Sequence, residues 1–127
     1  LSLRRKIALC ILSYVTKEFD MCHQAPSLSQ ISANLKLPIS FVSRMMNDLT
    51  NANLLSEIKA DEKSEVAYQP AFDIHKLTVA VFIDKIESYG DSSYPIESEE
   101  FKKAEVIIEK YIKTSLSADG AMLVKDI

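Results

Sequence analysis

The stretch 27-SLSQISANLKLPISFVSRMMNDLTNANLLSEIKADEKSEVAYQPA-71 decides the fold. Ser27 is placed to cap a helix, and Gln30, three residues on, is placed to answer it from the first turn, the reciprocal pairing of a capping box. Leu28, Ile31 and Leu35 then share one helical face. The run Lys36-Leu37-Pro38 breaks that helix, because proline fixes its own φ and disfavours helical geometry in the residue before it. From Ser40 the helical period resumes through Val42, Met45 or Met46, Leu49 and Ala52, and Asn53 stands where left-handed geometry ends a helix. Residues 54–58 alternate as a strand, residues 59–65 form a charged tip, and residues 66–69 return as the paired strand, with Pro70 expected to end the pairing. Helix, tight turn, helix and hairpin in that order predict a winged helix-turn-helix.

The bulk composition allows one core. The chain has 127 residues, 47% of them apolar, enough to bury one sizeable core and too few for two. A net charge of −3 supplies no overall attraction for phosphate backbones or anionic membranes, so any nucleic-acid contact has to come from a local patch. Cys10 and Cys22 lack the close spacing of a metal or redox pair and point to a reducing setting, with Cys10 expected in the core. His23 beside Cys22 has no second pair of ligands, so no metal site is expected. No apolar run approaches the roughly eighteen residues that span a bilayer.

Working outward, residues 3–19 read as a helix with apolar rows on more than one side and a narrow polar stripe of Lys6, Ser13, Lys17 and Asp20, which predicts packing on several faces. Arg4, Arg5 and Lys6 open it as a basic cluster, and the first acid is Glu18. After the hairpin, Thr78 caps a helix carrying Val79, Phe82, Ile83 and Ile86 that stops near Gly90. A loop containing Pro95 follows. Ser98, with Glu99 and Glu100 in the first turn, starts a last helix whose face holds Phe101, Ala104, Ile108, Tyr111, Ile112 and Ser115. The apolar run 121–124 is a tail expected to dock on the body. The expected organisation is one mainly α domain over 1–127: helix-turn-helix at about 27–53, a two-stranded antiparallel wing at 54–71, and additional C-terminal helices at 78–89 and 98–117.

No active-site pattern stands out. Two glycines, Gly90 and Gly120, cannot build a phosphate loop. Neither His23 nor His75 is paired with a nucleophile, so no catalytic residue and no cofactor is expected. The second helix of the central stretch would present Ser40, Ser43, Arg44 and Asn47 outward together with Asp48 and Asn51. Arginine suits guanine and asparagine suits adenine, so the first four are the candidate nucleic-acid contacts. Charge argues against strong binding, because Lys36, Arg44, Lys59 and Lys63 are outnumbered between residues 27 and 71 by Asp48, Glu57, Asp61, Glu62 and Glu65. Duplex affinity comes largely from neutralised phosphates, so DNA binding is expected to be weak and unspecific.

Two family resemblances attach to these residues. The runs 31–38, 42–49 and 54–57, then Tyr68-Gln69-Pro70-Ala71, Asp73-Ile74 and Leu77-Thr78, resemble the C-terminal cytosolic domain of YihY/BrkB proteins, multi-pass inner-membrane proteins formerly labelled ribonuclease BN. That resemblance transfers no catalytic residue. It implies an interaction or regulatory module, a C-terminal fragment of a longer membrane protein at the cytoplasmic face of the inner membrane, with a protein partner or the membrane-embedded part of its own chain. Arg4, Arg5 and Lys6 are then a membrane-proximal cluster facing anionic lipid. The wing exit and Leu-Thr helix start also resemble Rrf-two-like transcriptional regulators, dimeric winged-helix proteins that often carry an iron–sulfur cluster. Residues 89–101 lack the three cysteines such a cluster needs, which implies a DNA-binding regulator without it, a homodimer through the C-terminal helix. The membrane-attached module is the first expectation and the regulator is the alternative.

Overall fold

The computed structural model describes residues 3–59, 61–91, 98–115 and 120–127. The protein is mainly helical with a two-stranded antiparallel sheet, in the order α1 (Leu3–Asp20), α2 (Leu28–Leu35), α3 (Ile39–Asn51), β1 (Leu55–Ile58), β2 (Ala67–Pro70), α4 (Val79–Asp91) and α5 (Glu99–Ser115), with a short 3-10 turn at Val124–Asp126. It is a winged helix-turn-helix. The loop expected around Pro95 and the residues 116–117 of the last helix lie outside the described residues.

α1 is the floor of the domain. Ala8, Ile11, Leu12 and Val15 are buried, and the helix packs on α3, β2 and the terminal turn. Thr16 is buried among them with its hydroxyl donating to the Leu12 carbonyl at 2.6 Å, so that hydroxyl is not stranded. Cys10, expected inside, is exposed. It stands four residues after Lys6, at the edge of the buried face.

The central stretch folds as a helix-turn-helix followed by a two-stranded wing. The Gln30 amide donates to Ser27 Oγ at 3.3 Å and the Ser27 amide donates to Gln30 Oε1 at 2.9 Å, completing the capping box. Lys36 takes left-handed geometry at φ 56, and the amides of Lys36 and Leu37 both donate to the Ser32 carbonyl, which closes the end of α2. Pro38 then stands just before α3, where its missing amide costs nothing. Val42, Met45, Met46 and Leu49 are all buried, so both methionines serve the core. Asn53, at φ 61, ends the helix and turns the chain into the wing.

In the wing Leu55 lies opposite Pro70, Ser56 opposite Gln69, Glu57 opposite Tyr68 and Ile58 opposite Ala67. The pairing is shifted one residue from the expected start, and Pro70 is inside it as the last residue of an edge strand, where no ladder amide is needed from it. Tyr68 is buried and its amide donates to the Pro26 carbonyl at 3.0 Å, which ties the wing to the entrance of α2.

The chain end locks α4 in place. The amides of Val79 and Ala80 donate to the carbonyls of Met122 and Gly120, the Val81 amide donates to Thr78 Oγ1, and the Val124 amide donates to the Leu77 carbonyl. Helix α4 therefore has its first-turn donors satisfied by the tail, and Val124 is fully buried in the core beside Phe82 and Leu77. By contrast, α5 contributes no residue to that core among the described residues.

Candidate nucleic-acid interface

The 3.6-residue period of α3 separates its two faces. With Val42, Met45, Met46 and Leu49 turned inward, Ser40, Arg44, Asn47 and Asn51 are exposed on one outward stripe, spaced by three or four residues, and Ser43 stands half-buried at its edge. All four expected contacts, Ser40, Ser43, Arg44 and Asn47, therefore lie on α3, three of them exposed. Arg44 makes no ion pair or hydrogen bond among the described residues. Ile39, at the start of the helix, is 51% exposed, an apolar group next to Ser40 that periodicity alone did not single out.

Asp48 and Asn51 are not free on that stripe. Asp48 turns toward α1, where Arg4 Nε donates to its Oδ2 at 3.0 Å and Arg4 Nη2 donates to the same oxygen. Asn51 Nδ2 donates to the Tyr89 hydroxyl at 3.2 Å, which joins α3 to α4. The acid that weighed against DNA binding is thus paired with a cation 44 positions away in the chain.

Two of the wing acids are also engaged. Asp61 Oδ1 accepts from the Ser64 hydroxyl and from the amides of Lys63 and Ser64, and the Ser64 hydroxyl foremost lowers its pKa below the ordinary carboxylate value. Glu65 Oε1 accepts from the Ser29 hydroxyl at 2.6 Å at the start of α2, and that bond likewise lowers its pKa. These carboxylates shape the wing and its junction with α2.

The basic cluster expected at a membrane is differently used. Arg4 holds Asp48, and Arg5 pairs with Glu87 of α4, with Nη2 donating to Oε2 at 2.8 Å. Lys6 stays exposed. The first two cations fasten α1 to α3 and α4, contacts that a count of charges along the chain does not reveal. At the far end of α1, His23 Nδ1 lies 2.9 Å from Glu18 Oε2. Among the described residues no group of three or more His, Cys, Asp or Glu is placed to hold a metal ion.

No family model and no curated protein matches the sequence. Solved structures do match it in fold. CymR of B. subtilis, described as that organism's global cysteine regulator, is 20% identical, with a TM-score of 0.67 over 99% of this chain and 93% of its own. IscR of T. potens is 14% identical, with a TM-score of 0.66 over 99% of this chain and 83% of its own. CymR of Staphylococcus aureus is 14% identical, with a TM-score of 0.62 over 98% and 93%.

This likeness corrects the expected localisation at the cytoplasmic face of the inner membrane. The fold is shared almost end to end with a regulator rather than with a membrane-protein appendage. No helix of the described residues is long and apolar enough to cross a membrane, and Arg4 and Arg5 face protein carboxylates rather than lipid. The resemblance to YihY/BrkB proteins has no counterpart among these three structures, whereas the Rrf-two-like alternative agrees with the winged-helix regulator fold.

Proposed function

We propose that this protein is a dimeric winged-helix transcriptional regulator that reads duplex DNA with α3 and carries no iron–sulfur cluster. The observation that supports it most is the outward stripe of Ser40, Arg44 and Asn47, flanked by Ser43, with Arg44 unpaired among the described residues and Asp48 drawn aside by Arg4. A helix with an arginine and an asparagine on one exposed face suits guanine and adenine edges in the major groove, and its first turn enters foremost. Residues 1–127 act in this reading as one winged-helix domain, and its work is binding, with no catalytic residue.

The dimer follows from α5. Val106, Ile107 and Ile108 are 58, 67 and 57% exposed, and an uncovered apolar run on a long helix marks a contact surface. A second copy of the same helix supplies the matching surface in a two-fold arrangement. Two recognition helices then face two half-sites, which offsets the shortage of cations on each domain by doubling the phosphate contacts.

The test is binding to a duplex selected by the full-length chain from a random library, followed by fluorescence anisotropy at physiological salt. Arg44→Ala is expected to weaken binding to the selected duplex by about 5- to 150-fold, the range of one bidentate base contact, and to relax preference at one base pair. Unchanged affinity and unchanged preference in that variant would remove α3 as the reading element.

A further inference from the structure

We infer that Arg4 is a positioning residue for Arg44: by holding Asp48 from the α1 side, it keeps the Arg44 guanidinium free for a base edge. The inference rests on the DNA-reading role of α3. Arg44 and Asp48 are four residues apart on one helix, so their side chains are neighbours and opposite in charge. Left alone, such a pair closes part of the time, and an arginine whose donor fork is on a carboxylate cannot offer that fork to guanine. Here the pair does not close. Asp48 accepts from Arg4 Nε at 3.0 Å and from Arg4 Nη2, while Arg44 is exposed and without an ion-pair partner among the described residues.

The geometry explains why Arg4 wins the competition. The Asp48 side chain is only 20% exposed, set back in the groove that Arg4, Ala8 and Met45 line between α1 and α3. It is approached from α1 with both the Nε and Nη2 of one guanidinium. From Arg44 it is approached along the helix surface in the weaker of the two charge orders, the base preceding the acid. Arg4 itself remains 62% exposed, so the arrangement leaves a neutral ion pair beside α3 instead of a bare carboxylate. No stability role is needed to account for the pair, since exposed ion pairs contribute little to folding.

The experiment measures full-length wild type, Arg4→Ala, Asp48→Ala, the double variant and Arg44→Ala against the library-selected duplex and a duplex altered at the base pair that Arg44 reads. Arg4→Ala is expected to lose roughly 2-fold for the selected duplex, the worth of an i,i+4 pair that has to open first, and less for the altered one, where Arg44 has no base contact to forfeit. Adding Asp48→Ala is expected to restore selected-duplex binding to the wild-type value or above it, because the capturing acid is gone. If the double variant stays as weak as Arg4→Ala, Arg4 contacts phosphate directly and the inference is overturned. Equal losses on both duplexes overturn it as well, since they report only an unmasked negative charge.

A DNA-free arm separates this inference from the DNA reading. Nitrogen-15 spectra of the arginine Nε groups are expected to show slowed exchange at Arg44 in Arg4→Ala and not in the double variant. An Arg44 signal identical in all the proteins would overturn the competition. Should wild type select no duplex, the DNA reading fails while these spectra still decide the pairing. Arg4→Gln serves as the second variant if Arg4→Ala loses its helical circular dichroism.

Discussion

Ser27 and Arg4 mark the two limits of what single residues disclose. Ser27 and Gln30 are three positions apart, and the bond each makes to the other's amide is implicit in that spacing. Ser27→Ala is accordingly expected to cost about 1 kcal/mol, read as a shift in the urea midpoint at constant slope; an unshifted midpoint would mean that the cap does not matter to α2. Arg4 offers no such local cue. Its carboxylate partner is 44 residues away, and that of Arg5 is 82 away, so both are legible only once α1 has been laid across α3 and α4. This is why a basic cluster at the start of the chain resembled a lipid-facing anchor, and why Asp48 was counted as a free acid on the reading face. Cys10 is a different case: the helical period places it in an apolar row of α1, and it lies exposed because that row borders Lys6 at the edge of the buried face.

At the scale of elements, helices with caps and matched periods were legible because each signal is local: α2, α3 and the start of α4 follow from Ser27, Pro38 and Thr78. The wing was legible in outline. Its one-residue shift and the inclusion of Pro70 depend on which strand edge faces solvent, a tertiary fact. The wing also carries a pH dependence. Glu65, exposed and bonded to the Ser29 hydroxyl, has its pKa lowered from the ordinary value of 4.5. A carboxylate whose pKa is depressed by folding contributes stability above its unfolded pKa and loses it as pH falls through the folded one. The junction of the wing with α2 is therefore expected to loosen progressively below about pH 4.5, seen as faster amide exchange at Ser29 and the wing, and Glu65→Gln should flatten that dependence. A junction equally protected at pH 3 and pH 6 would show that the bond carries no weight. On α5 the sequence marks a face that holds Ile108 but not Val106 or Ile107, which are exposed beside it, and what these residues meet is decided only by where the helix lies.

Over the whole molecule, the tail is the element that makes one body of the chain. Residues 120–127 return to supply acceptors to the first turn of α4 and to bury Val124 in the core that α1, α3 and α4 share, so the helix-turn-helix and the start of α4 are tied to the same core. A net charge of −3 gives such a body no general affinity for DNA, and in the proposed function binding comes from two α3 stripes presented together. The most direct measurement of that claim is a hydroxyl-radical footprint of the full-length protein on its selected duplex at physiological salt. The account predicts two protected patches centred about one helical turn, 10–10.5 base pairs, or a whole multiple of it apart, both lost together in Ile108→Glu when that variant sediments as a monomer. A single patch that survives in the monomeric variant, or protection spread evenly along the duplex, would contradict it.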